Sequence, residues 1–329
     1  MKLEYFLLIV TTLFVAVLPA TTHKHEKHTH KERMEDGSFS PKNAHHFDGA
    51  EHHSEFDHEA IIGSVKEAEE FDNLSPEESK KRLGILIKKM DLNTDGFVDR
   101  HELKAWILRS FKMLSQEEAN DRFQDVDADN NGLVTWNEYL KDTYGMETEN
   151  EIRDSDEQFV EEENRLIEED KVMFKAADKN KDDNLTPEEF VVFLSPEEHP
   201  EMLPLILEQT LREKDKDGDG KINFKEFVGD SAKHHDKEWL IAEKEKFDNE
   251  HDKDKDGVLN GNEILSWVVP SNEDVAADEV DHLFASSDDD HDDRLSHDEI
   301  IDNYDTFVGS EATDYGDHLQ NIHHFSDEL

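Results

Sequence analysis

At six places along the 329-residue chain an aspartate opens a twelve-residue stretch that closes on a glutamate and carries an oxygen-bearing side chain at its third, fifth and ninth positions. Between the two, side chains bearing oxygen recur at alternate positions. Oxygen donors at positions 1, 3, 5, 9 and 12 of a twelve-residue stretch suit a hard cation that takes six to eight oxygens, with a backbone carbonyl from position 7 and a bidentate glutamate at position 12. This is the ligand logic of an EF-hand loop, and it points to Ca2+.

In the first loop, DLNTDGFVDRHE, the donors are Asp91, Asn93, Asp95, the carbonyl of Phe97, Asp99 and Glu102. The second, DADNNGLVTWNE, offers Asp127, Asp129, Asn131, Leu133, Thr135 and Glu138. The third, DKNKDDNLTPEE, offers Asp178, Asn180, Asp182, Asn184, Thr186 and Glu189. The fourth, DKDGDGKINFKE, offers Asp215, Asp217, Asp219, Lys221, Asn223 and Glu226. The fifth, DKDKDGVLNGNE, offers Asp252, Asp254, Asp256, Val258, Asn260 and Glu263. The sixth, DDDHDDRLSHDE, offers Asp288, Asp290, Asp292, Arg294, Ser296 and Glu299.

Two features support this register over a random acidic run. Position 7 is chemically varied, as befits a residue that contributes only its carbonyl. Position 8 is apolar every time (Val98, Val134, Leu185, Ile222, Leu259, Leu295), as expected of a short strand through which two loops pair. Position 6 needs positive φ, which glycine adopts freely. Gly96, Gly132, Gly220 and Gly257 supply it, whereas Asp183 and Asp293 stand there in loops three and six. The expected strain of about 1–2 kcal/mol corresponds to roughly tenfold in affinity, so binding at those two loops should be weakened rather than abolished.

The elements that must position these loops are helices. Leu83, Leu86, Ile87 and Met90 precede loop one at helical spacing, and Leu103, Trp106 and Ile107 follow it. Val280, Leu283 and Phe284 precede loop six, and Ile300, Tyr304 and Phe307 follow it. The loops start at residues 91, 127, 178, 215, 252 and 288, hence 36, 51, 37, 37 and 36 residues apart. With the long interval taken as a divider, hands one and two, three and four, and five and six are expected to pair. The expected class is mainly α: six EF-hands in three pairs, each helix–loop–helix with short two-stranded loop pairing, behind a flexible N-terminal leader. The implied organisation is a signal peptide (1–20), an acidic, His-rich leader (21–70), pair one–two (71–146), an acidic linker (147–165), pair three–four (166–232), pair five–six (233–310) and a C-terminal tail (311–329).

Composition narrows the function. Lys and Arg total 36 against 84 Asp and Glu, a formal charge of −48, which excludes nucleic-acid binding and disfavours anionic membrane surfaces. The absence of cysteine excludes a disulfide framework, a thiol nucleophile and a cysteine zinc site. The apolar run Phe6–Leu18 behind Lys2 reads as a secretory signal, too short for a membrane anchor, so no membrane insertion is expected after its removal. The ending Ser326-Asp327-Glu328-Leu329 resembles a retention signal read by a receptor, which places the chain in the endoplasmic reticulum lumen. Nine histidines fall within residues 21–60. They could form an adventitious zinc or copper site, but their irregular spacing favours a solvated leader. No HExxH, GxSxG, P-loop or GxGxxG pattern occurs, and no enzyme is expected.

Three segments lie outside the loops, Leu194–Pro204, His235–Trp239 and Tyr304–Gly316, and EF-hand chemistry gives no reason for the last of them. With the leader, the six hands and the terminal signal, they make the chain resemble the calumenin/reticulocalbin (CREC) family from about residue 60 onward. The resemblance implies low-affinity calcium binding in the secretory-pathway lumen, assistance to client proteins and a part in calcium handling. The rival is a calmodulin-like sensor, which would use a methionine-rich groove; here seven methionines are scattered along the chain.

Overall fold

The computed structural model describes residues 34, 37–44, 46–48, 51–148 and 157–308. The expected signal segment, most of the leader histidines and the terminal Ser-Asp-Glu-Leu lie outside the described residues.

Each hand is built by the same local rules. The entering helices end on the position-1 aspartate, whose N–H closes the last helical turn: Asp91 onto Ile87, Asp127 onto Phe123, Asp178 onto Phe174 and Asp288 onto Phe284, at 2.9–3.1 Å. The exiting helices begin at position 9. Asp99, Thr135, Thr186, Asn223, Asn260 and Ser296 are all N-caps, and each forms a reciprocal capping box with the glutamate three residues on. Before hand one, Ser75 caps the helix Pro76–Met90 with proline in its first turn.

The loops pair through two-residue antiparallel strands, but not in the expected order. Val98 of loop one faces Leu295 of loop six, Val134 of loop two faces Leu185 of loop three, and Ile222 of loop four faces Leu259 of loop five. All six position-8 side chains are fully buried. The expected one–two, three–four and five–six pairing is therefore replaced by one–six, two–three and four–five. The helix Arg100–Val126 explains why hands one and two stay apart. It runs unbroken for 27 residues as the exiting helix of one hand and the entering helix of the other, so it carries the two loops about 40 Å apart along its axis.

Closing the first hand onto the last divides the interior into two large cores, beside a small cluster of Leu140, Met146 and Ile167. One gathers Leu83, Ile87, Leu103, Ile107 and Phe111 with Val280, Leu283, Phe284, Leu295, Ile300 and Phe307. The other gathers hands two to five around Phe123, Phe174, Phe190, Phe193, Phe227, Phe247 and Trp267.

The described part of the leader is folded, which moves the expected boundary at residue 70. Glu55–Ile62 and Val65–Asp72 are helices, with Ala60, Ile61, Ile62 and Phe71 packed into the hand one–six core. Further upstream Phe39 inserts into the other core, its N–H bonded to the Val268 carbonyl at 2.9 Å. The helix Glu157–Ala177 likewise begins inside the segment expected as a linker. Among the described residues, no helix is long and apolar enough to cross a membrane.

Candidate metal centres

All six loops carry one wiring pattern. The N–H of position 6 donates to one oxygen of the position-1 aspartate: Gly96 to Asp91 at 3.0 Å, Gly132 to Asp127 at 2.9 Å, Gly220 to Asp215 at 2.8 Å and Gly257 to Asp252 at 2.9 Å. The two departures make the same bond, Asp183 to Asp178 at 2.9 Å and Asp293 to Asp288 at 3.1 Å. Their φ angles, 64° and 63°, fall in the left-handed region with those of the glycines. A β-carbon at Gly96, Gly132, Gly220 or Gly257 would meet nothing within 4 Å. Position 6 is therefore constrained by backbone angle and not by space, and an aspartate there bears strain without steric conflict.

The N–H of position 5 donates to the position-3 side chain, as Asp95 does to Asn93 at 2.8 Å and Asp182 to Asn180 at 2.8 Å. The N–H of position 7 donates to position 5, as Phe97 does to Asp95 at 3.0 Å and Arg294 to Asp292 at 2.9 Å. The chain thus coils around its own carboxylates, aiming them inward. Position 4 is left-handed too, through Thr94, Asn130, Lys181, Gly218, Lys255 and His291. That requirement was missed in the sequence because only Gly218, Asn130 and His291 carry the usual signature of positive φ, and Thr94, Lys181 and Lys255 do not.

The position-12 glutamates have a second function that ligand counting missed. One oxygen of Glu102 accepts the N–H of Asp99, and the other accepts those of Leu92 and Asn93, at 2.9–3.1 Å. Glu189, Glu226, Glu263 and Glu299 span their loops in the same way. Glu138 accepts from the N–H and hydroxyl of Thr135. The signal was legible as Ser/Thr/Asp/Asn at position 9 with glutamate three residues later.

The donors converge as a dication requires. Carboxylate oxygens of Asp127, Asp129 and Glu138 lie within 4.8 Å of one another, as do those of Asp215, Asp217 and Glu226, of Asp252, Asp254 and Glu263, and of Asp288, Asp290 and Glu299. In loops one and three, Asn93 and Asn180 replace the carboxylate at position 3. The electrostatics reflect the crowding. Desolvation, then the charges of Asp219, Glu226 and Asp215, push the Asp217 carboxyl above its usual range. Burial acts the same way on Glu189 and Glu299 but is outweighed by the hydrogen bonds from Thr186 and Ser296, which hold them below it. Carboxylates kept ionised in a shared, oxygen-only pocket fit Ca2+. The residues that would hold each ion are the side chains at positions 1, 3, 5, 9 and 12 with the position-7 carbonyl, and the ion would supply the positive charge that lets them stay together.

Position-7 side chains point instead to the partner loop. The Arg294 guanidinium stacks over Phe97 at 4.3 Å and reaches Asp95 at 3.7 Å. Lys221 lies 3.5 Å from Asp256. In return, Arg100 of loop one bonds Asp293 at 2.6 Å and Asp281 at 2.5 Å, while lying over Phe284. These contacts join loops one and six, and four and five, as the strands do.

The family model for an EF-hand domain pair matches residues 80–144 and 167–230. Reticulocalbin-2 of Crotalus adamanteus is 42% identical over 287 residues, covering 85% of this chain and 93% of that protein. Reticulocalbin-2 of Mus musculus is 38% identical over 291 residues, at 86% and 90% coverage. Reticulocalbin-3 of Mus musculus is 37% identical over 289 residues, covering 86% of each chain. The chain belongs to the calumenin/reticulocalbin family. It is a calcium-binding protein of the EF-hand class, and Ca2+ is its metal. No solved structure matches it significantly.

Proposed function

We propose that this chain is a low-affinity calcium-binding protein of the endoplasmic reticulum and secretory-pathway lumen, which buffers calcium and holds client proteins in a calcium-dependent way. The observation that carries the reading is the uniform wiring of six loops, two of them with an aspartate in the left-handed position 6. Six dications would bring +12 to a chain of charge −48, so occupancy relieves self-repulsion and couples to folding. Sites that are weak change occupancy in a calcium-rich compartment, where tight ones stay saturated. The Phe6–Leu18 run and the Ser326–Leu329 ending support a luminal address, the latter through a retention receptor.

A sensor with a methionine groove is less well supported, because Met90, Met146, Met173 and Met202 are buried in the cores. Calorimetric titration of the chain with calcium tests the reading: dissociation constants of about 10−4 to 10−3 M are expected, the range of modules that work at high calcium. Submicromolar binding at all sites, with calcium-induced exposure of apolar surface to a dye, would favour the sensor. Cross-linking in the lumen with and without calcium tests client binding, and equal client recovery in both conditions would count against it.

A further inference from the structure

A cluster outside the calcium loops has the chemistry of a different metal. The antiparallel strands Phe47–Asp48 and Glu51–His52 pair Phe47 with His52, and the His53 N–H bonds the His46 carbonyl at 2.9 Å. This hairpin brings His46 Nε2 to 3.0 Å from His52 Nε2. Asp57, in the first turn of the helix Glu55–Ile62, places Oδ1 2.6 Å from His46 Nε2 and Oδ2 2.9 Å from His52 Nε2. From the other end of the chain, His282 on the helix Asn272–Ser287 puts its Nε2 3.6 Å from Asp57 Oδ2. All four ligand atoms lie within 4.8 Å of one another. For metal–ligand bonds of 2.0–2.2 Å, the edge of a tetrahedral site is about 3.3 Å, so these separations are already close to a coordination shell.

The burial is the second, independent observation. Asp57 is 0% exposed and Glu279 1%. The Asp57 oxygens face the imidazole nitrogens of His46 and His52, Glu279 packs against Asp57, and the buried His282 Nε2 has no hydrogen-bond partner. Two carboxylates shut away together without a lysine or arginine between them are expensive, and a burial penalty of this kind is normally met by pairing or by a metal. A dication would sit between the buried Asp57 carboxylate and the three imidazoles that face it.

We infer that His46, His52, Asp57 and His282 form a tetrahedral site for zinc, or a first-row dication of similar chemistry, that pins the N-terminal segment to the entering helix of the last hand. Three imidazoles and one carboxylate suit zinc, whereas Ca2+ takes oxygen ligands. Glu279 stands one turn before His282, with Oε2 3.9 Å from His46 Nδ1. With an ion bound it would close that gap and serve as the outer carboxylate that orients a ligating imidazole in such sites. Phe47 and Phe56, with ring centroids 4.3 and 4.8 Å from that of His46, form an apolar wall that keeps water off it. The site ties together residues more than two hundred positions apart, and it belongs to the same end of the molecule as the one–six loop pair.

The test uses the full chain, saturated with calcium and stripped of other metals, with His23, His25, His28 and His30 changed to alanine to remove adventitious sites. Zinc titration by calorimetry is expected to show one ion per chain that excess calcium does not displace. Cobalt substituted for zinc should give the intense visible bands of a tetrahedral centre. His282→Gln should weaken zinc binding by more than about 100-fold, and Glu279→Gln by about 10-fold or more, with calcium binding by loops four and five unchanged. Hydrogen exchange of residues 55–62 should slow on adding zinc to the parent chain, and not in His282→Gln. Weak octahedral cobalt bands, displacement by calcium, or zinc affinity unaltered by His282→Gln would each overturn the assignment. The cobalt spectrum of the parent chain decides the matter even if a substituted chain fails to fold.

Discussion

Replacing Leu295 with alanine separates the observed pairing from the consecutive one. Leu295 lies in loop six, is fully buried, and faces Val98 of loop one across the two-residue ladder. The change removes three carbons, about 2.4 kcal/mol at roughly 0.8 kcal/mol per buried methylene. A residual cavity raises this to about 3 kcal/mol, within the range for buried leucine-to-alanine changes. If the loss falls on the joint ordering of loops one and six, it corresponds to about two decades in the product of their calcium constants, or roughly tenfold at each site. The position-6 amides report on each loop separately, because each is bonded to its own position-1 aspartate. In a calcium titration followed by amide NMR, the Gly96 signal should shift its midpoint about tenfold higher, while those of Gly220 and Gly257 stay in place. A shift at Gly257 with none at Gly96 would show that loop six pairs with loop five, and would refute the closure of the first hand onto the last.

Other outcomes follow from the same geometry. Asp183→Gly should raise affinity at loop three about tenfold by removing left-handed strain. Asp293→Gly should gain less, because it also loses the bond from Arg100; single-site calorimetry checks both, and equal gains would show that Arg100 contributes nothing. Chelation of calcium should expand the chain and lower its helicity, since the position-12 glutamates both cap the exiting helices and crowd other carboxylates. Scattering and circular dichroism that do not change with chelator would contradict this. Burial raises the Glu169 carboxyl above its ordinary range despite Arg165 at 3.1 Å. A raised folded-state value means a stability contribution that is present at low pH and lost as pH rises through it. Glu169→Gln should therefore gain on the parent in denaturant melts as pH rises from about 4 toward neutrality, and a constant gap would rule out titration as the cause.

The loops were legible residue by residue because a chelating loop is a local device: its donors, its turns and its strand residue all lie within twelve positions. The pairing of hands was not. Intervals of 36 and 37 residues look equivalent in sequence, yet one is spent almost wholly on the rise of the helix Arg100–Val126, while another, between the paired loops four and five, is folded back by the short helices Phe224–Val228 and Lys237–Lys246. Spacing counts residues, and pairing depends on how far they carry the chain. A break in that long helix, by glycine or proline near its centre, was the signal to look for. The run Ser110–Ser115 carries neither.

The leader misled for a related reason. Its histidines have no regular spacing because the residues they meet, Glu279 and His282, are at the other end of the chain, so no local pattern could reveal the convergence. The apolar signal was present but small: Ala60, Ile61 and Ile62 in a segment otherwise rich in charge. Their burial against hand one, with Trp106 Nε1 donating to the Ile61 carbonyl at 2.7 Å, is what carries Asp57 to full burial. A carboxylate enters a core at that cost only where something fixes the backbone on both sides of it. Here the hairpin does so before it and the Ile61 contact after it, and that is why this short acidic segment presents a single aspartate to three imidazoles.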